Sequence, residues 1–161
     1  MKQRIIISPF AIFLTFAITL TFAISAAGCF KKGDLPTAWT LTGCLLVILI
    51  PALFFAPVYT AADENGIYVR HPLRTSFYPL EEIAGIEVFS PSMAEKCIVG
   101  ARGYFGYWGF FYDGGIKKYV ACYGKASQCV LMTLKNGKKY VIGAEHNQEF
   151  ADYIQKMINE R

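Results

Sequence analysis

The chain has 161 residues, of which 54% are hydrophobic and 17% charged, with a formal net charge of +4. That length holds one domain of ordinary size, and the charged fraction lies well below the roughly 25% of a typical soluble domain. The weak positive balance excludes the strong basic field that nucleic-acid binding demands.

The apolar excess is concentrated in two runs. Residues 5–30 and 35–62 contain no charged side chain, and each exceeds the roughly 20 residues that a helix needs to span a bilayer. Backbone groups in lipid must be satisfied within the segment, so the runs predict helices at about 5–27 and 36–58. A cleaved signal peptide competes for the first run, because Lys2 and Arg4 precede it and "SAAGC" ends it. Its uncharged length exceeds the roughly 7–15 residues of a signal-peptide core. "AAGC" also resembles a lipoprotein cleavage box with Cys29 as the lipidated residue, but Ala26 replaces the usual leucine. A retained helical hairpin is the expectation.

Asp34 is placed to cap the second helix, with Pro36 in its first turn. Pro51 and Pro57 should kink or end it. No charged residue lies inside either span to suggest transport, so the hairpin reads as an anchor. Lys2, Arg4, Arg70 and Arg74 flank its outer ends, against Lys31 and Lys32 in the connection. This bias predicts a multi-pass protein of the inner (cytoplasmic) membrane, with both termini and the following domain in the cytoplasm. Cys97, Cys122 and Cys129 show no disulfide spacing, as expected of a reducing compartment.

From Tyr59 the period changes to two. "VYTAADENGIYVRH" predicts a hairpin about Asn65-Gly66. A strand follows at 76–78, a helical turn at 80–83 and another strand near 85–89. Beyond the aromatic run, strands are expected at 116–123, 128–134 and 138–142, the last two joined at Asn136-Gly137. The chain closes on "HNQEFADYIQKMINER", where Phe150, Ile154, Met157 and Ile158 form one apolar stripe, with His146 or Asn147 as cap. About seven strands and one amphipathic helix therefore follow the hairpin, and the helix should close one end of a small barrel or sandwich.

Between the fourth and fifth of these strands lies "ARGYFGYWGFFYDGG". Gly103, Gly106 and Gly109 recur at every third position and permit positive φ and close backbone approach. The intervening aromatics can pack on the domain or face outward. Tyr107, Trp108 and Phe110, with Arg102 at their edge, are the candidate contact surface for a protein partner or the membrane interface. Lys117 and Lys118 begin a series continued by Lys125, Lys135, Lys138 and Lys139. These lysines form either a solvated rim that discourages strand aggregation or a patch facing anionic lipid.

"ARGYFGYWGFF", "KKYVACYG" and "CVLMTLKNGKKYVIGAEHNQEFADYI" together resemble the bacterial pleckstrin-homology-like (PH-like) domains of small membrane proteins. The resemblance covers residues 59–161 and implies a PH-like β-barrel or sandwich closed by the terminal helix, behind the transmembrane hairpin of residues 1–58. Phosphoinositide-binding PH domains carry basic residues in the first hairpin loop. Here that turn is "ADENG", with Asp63 and Glu64, which argues against inositol-phosphate binding at this position.

Enzyme chemistry finds little support. His71 and His146 are the only histidines, no C-x-x-C or His-pair spacing suits a metal, and Cys97 has no partnering base. The glycine series lacks the G-x-G and G-K-[ST] of nucleotide-binding loops. The reading is therefore a non-enzymatic interaction module without cofactor, metal or nucleic acid, contacting the bilayer and an unidentified protein or lipid partner. Its alternative is a small-molecule or lipid-binding domain with a pocket rimmed by residues 103–112.

Overall fold

The computed structural model describes residues 1–92 and 94–160. A short strand, β1 (Lys2–Arg4), precedes two long helices, α1 (Pro9–Lys32) and α2 (Leu35–Phe55). Ser8 caps α1 by accepting the Ala11 N–H, and Gly33 ends it in the left-handed conformation with φ 78°. Asp34 then caps α2 through the Thr37 N–H, as its position before Pro36 predicted. Both helices are long and apolar enough to cross a membrane, with mean hydropathies of 2.1 and 2.2. They begin and end a few residues from the expected bounds. Pro51 stays inside α2, whereas Pro57 lies beyond its end.

The remaining chain forms β2 (Tyr59–Ala62), β3 (Gly66–Arg70), β4 (Thr75–Pro79), a 3-10 turn (Leu80–Glu82) and β5 (Ile83–Phe89). It continues through β6 (Lys96–Gly103), β7 (Gly106–Asp113), β8 (Lys117–Tyr123), β9 (Cys129–Leu134) and β10 (Lys139–Gly143), and ends in α3 (Asn147–Asn159). Two sheets result, in the orders β1-β2-β3-β4 and β5-β9-β10-β8-β7-β6. The Asn65-Gly66 and Asn136-Gly137 turns stand where the sequence places them. Three strands, β1, β6 and β7, lie where the sequence reading places none.

Sheet pairing is antiparallel except between β8 and β10, which run parallel through Val120↔Tyr140 and Cys122↔Ile142. One core lies where the four-stranded sheet, the larger sheet and α3 meet. It buries Ile67, Val69, Ile83, Met132, Ile142, Phe150 and Ile154. Phe150 and Ile154 are the first half of the predicted stripe, and Met157 and Ile158 pack beside them. On the other face of the larger sheet Phe111, Tyr119, Tyr123, Cys129 and Val141 form a second core. The architecture is thus a hairpin of two apolar helices followed by a PH-like sandwich with a C-terminal helix.

β1 ties the start of the chain to the first strand beyond the helices. Lys2, Gln3 and Arg4 pair with Ala61, Thr60 and Tyr59, and Lys2 Nζ sits 4.0 Å from the Tyr59 ring centroid. The Ser8 N–H donates to Gly124 O at 3.0 Å and the Glu145 N–H to Arg4 O at 3.2 Å. Both ends of the helix hairpin are therefore stitched into the sandwich.

Candidate interaction site

The aromatic-glycine run is a β-hairpin. β6 and β7 pair from Lys96↔Tyr112 to Gly103↔Gly106, with Tyr104 and Phe105 as the turn. Gly100 and Gly109 face each other across the ladder. A Cβ on Gly100 would stand 2.1 Å from Trp108 O, and one on Gly109 would stand 2.2 Å from Val99 O. The glycines let two strands crowded with large rings approach without steric conflict.

Alternation along β7 sends Tyr107 and Phe111 to one face and Trp108, Phe110 and Tyr112 to the other. Tyr107 stacks on Tyr123 at 4.8 Å and an interplanar angle of 7°, and Phe111 is fully buried. The second face divides along its length. Near the turn, Trp108 is 8% exposed and stacks on Phe55 at 6.0 Å, while its Nε1 donates to Tyr104 O at 2.9 Å. It shares a small core with Ala52, Ala56 and Tyr104. Farther along the strand, Phe110 is 46% exposed and lies under Lys118, whose Nζ is 5.1 Å from the ring centroid.

The six sequence-chosen residues thus occupy two places. Trp108 belongs to the end docked on this chain's own helices, with Arg102 and Tyr107 paired beside it. Phe110 and Lys118 belong to the outer end, where Lys117 starts β8 opposite Asp113 with φ 64°. Here Phe110, Lys118, Lys138, Lys139 and Tyr140 line an open groove of about 440 Å³. Lys139 Nζ reaches Ile116 O at 3.4 Å, and Tyr140 packs on Tyr78 at 4.8 Å. A groove with an aromatic floor and three ammonium groups at its margin suits an acidic or aromatic ligand group. The Asn136-Gly137 turn supplies part of this rim, a contribution hidden in the sequence because the turn is far from Phe110 along the chain.

Comparison with family models matches the description "Bacterial PH domain" over residues 59–158. The chain belongs to this bacterial PH domain family. No curated protein and no solved structure matches it. In this PH domain the first hairpin turn uses Asp63 as a local acceptor for the N–H groups of Asn65 and Gly66. The acidic side chain shapes the turn.

Two groups lie outside every sequence-derived candidate. His71 is buried, with Nδ1 3.1 Å from Phe55 O and 3.2 Å from Ala56 O, and Nε2 3.0 Å from Ser76 Oγ. The imidazole thereby caps the end of α2 and joins it to β4. Burial, and then the charge of Arg74, holds its pKa below the usual histidine value. Glu95 is buried and accepts hydrogen bonds from the Tyr119 and Tyr123 hydroxyls, the second at 2.6 Å. A His before a proline and a Glu in a loop carry no periodic signal that would reveal either role.

Cys97, Cys122 and Cys129 all titrate above the usual cysteine value. Burial pushes Cys122 up to about 12, and burial followed by the charge of Glu95 raises Cys97. Among the described residues no three His, Cys, Asp or Glu side chains come together to hold a metal.

Proposed function

We propose that this PH domain is a non-enzymatic interaction module anchored at the inner bacterial membrane by α1 and α2, with both termini and the domain in the cytoplasm. The observation that carries this reading is the division of the β6–β7 hairpin. Its turn is fixed to the helices, and its outer half presents Phe110 and Tyr112, with Lys118 of the neighbouring strand β8 over the Phe110 ring. The domain is held close to the bilayer while one aromatic, basic surface stays open to a protein partner. A small acidic ligand in the Phe110–Tyr140 groove is the second reading, favoured by the groove's volume.

A photoreactive phenylalanine analogue at position 110, in native membranes, tests the reading. A discrete protein adduct that Lys118→Glu suppresses supports an interaction module. Adducts no different from those at exposed Lys156 count against it. A small ligand that co-purifies and is lost in Lys118→Glu and Lys138→Glu favours the second reading.

A further inference from the structure

The hairpin turn reaches farther along α1 than the rest of the sandwich does. The Ser8 N–H meets Gly124 at the end of β8, which sets the sandwich's edge at the first turn of α1. The Phe105 N–H donates to Thr15 Oγ1 at 2.8 Å, and the Tyr104 hydroxyl lies 3.1 Å from Thr19 Oγ1. Lys31 and Lys32 mark the other end of α1. Counted back from Lys31, a hydrocarbon layer about 30 Å thick takes about 20 helical residues and ends near Ala11. Thr15 then stands about 6 Å and Thr19 about 12 Å inside that layer. The turn beside them is at the same depth.

Irregular backbone at such depth must find its hydrogen bonds within the protein. This turn does so. Thr15 Oγ1 accepts the Phe105 N–H, the Trp108 indole N–H donates to Tyr104 O, and the Tyr104 hydroxyl is paired with Thr19. No charged side chain lies between Gly103 and Tyr112. Beside the turn, Val47, Ile48, Pro51, Val99, Ala101 and Trp108 are the main lining of an apolar cleft of about 320 Å³ between α2 and β6. Its outer lips are among the most exposed apolar residues of the chain, Val47 at 73% and Val99 at 66%. The cleft is continuous with the apolar outer face of α2, where Leu46, Ile50 and Phe54 are also exposed.

From this depth and lining, we infer that the Tyr104–Phe105 turn is embedded in the bilayer. The cleft between α2 and β6 is then a site for one lipid acyl chain. This rests on the membrane-spanning reading of α1 and α2 and extends it: a β-hairpin of the PH domain enters the same leaflet as the helix ends. Trp108 stacks on Phe55 near the interface, the level at which amphipathic indoles collect, while Phe105 lies deeper. A headgroup is not part of the site, because nothing charged lines it.

Tryptophan quenching by brominated lipids in reconstituted vesicles separates the two readings. Trp39 and Trp108 are the only tryptophans, so the full chain with Trp108→Phe reports from Trp39 at the far end of α2. The full chain with Trp39→Phe, Trp108→Phe and Phe105→Trp reports from the turn. With bromine placed on the upper or middle acyl chain, the turn reporter should be quenched several-fold more than a Tyr112→Trp reporter in the same background. In the Trp39→Phe chain, Trp108 should be quenched, and Ala101→Phe, which fills the cleft, should relieve that quenching and spare the turn reporter. Quenching at Trp39 without quenching at the turn overturns the inference and leaves the spanning helices intact. Quenching at neither site removes the membrane reading itself. Trp108 quenching unchanged by Ala101→Phe overturns the acyl-chain site.

Discussion

Glu95 and His71 show how single polar side chains hold this molecule together. The Glu95 carboxylate sits beside the second core with two tyrosine hydroxyls donated to it, so both hydroxyls and both carboxylate oxygens have partners. Glu95→Ala leaves both hydroxyls unsatisfied and should cost about 1–3 kcal/mol for each that water cannot reach. Thermal melting of the purified chain reads this directly, and the double variant with Tyr123→Phe should lose less than the sum. His71 makes stability depend on pH. Its folded pKa is below the usual 6.5 because burial, and the nearby charge of Arg74, disfavour the imidazolium. The unfolded chain therefore binds the proton more readily, and stability falls as pH drops from about 6.5 through the lowered folded value. The melting temperature of His71→Gln should vary less over that window than that of the native chain. Equal slopes would mean that the α2 cap does not titrate.

At the scale of elements, the terminal helix and the aromatic hairpin behave differently towards sequence reading. α3 was legible because its stripe has the helical period and meets one core: Phe150 and Ile154 are fully buried and Met157 packs beside them. Phe150→Ala should cost about 3–5 kcal/mol, whereas exposed Lys156, with only its surface pair to Glu160 at 3.7 Å, should tolerate alanine within about 0.5 kcal/mol. β6 and β7 were not legible as strands. Glycine is depleted in strands in general, and here Gly100 and Gly109 are required by a backbone approach that involves residues nine apart. β1 was hidden for another reason: three polar residues before an apolar helix show no period, and their partner strand lies beyond two helices. Gly109→Ala should therefore destabilise the domain by more than the about 1–3 kcal/mol of a strained backbone alone, since its Cβ also meets Val99 O. Gly137 has positive φ, 81°, but open space around it. Its alanine variant should lose only the conformational part, and a comparison of the two melting curves separates strain from contact.

For the whole molecule, the pairing of β1 with β2 has a consequence for topology. Residues 2–4 precede the helix hairpin and residues 59–61 follow it, yet they are neighbours in one sheet. If α1 and α2 cross the bilayer, they do so as a pair that returns, and among the described residues the short connection between them, with the adjoining helix ends, is what reaches the opposite side. The lysine and arginine bias at the two ends favours the proposed cytoplasmic side for the sheet, while the pairing of β1 with β2 puts both ends of the hairpin on one side of any bilayer it crosses. The native cysteines give a direct reading. Cys97 is exposed on the edge strand β6, and Cys122 and Cys129 are buried, the former with its thiol raised to about 12. With Cys29 and Cys44 replaced by alanine, an impermeant maleimide should leave Cys97 unlabelled in intact spheroplasts and label it after lysis. Added to this chain, Lys32→Cys should be labelled from outside before lysis. Labelling of both sites before lysis would place the domain outside. Labelling of neither would show that the helices lie along the cytoplasmic face without crossing.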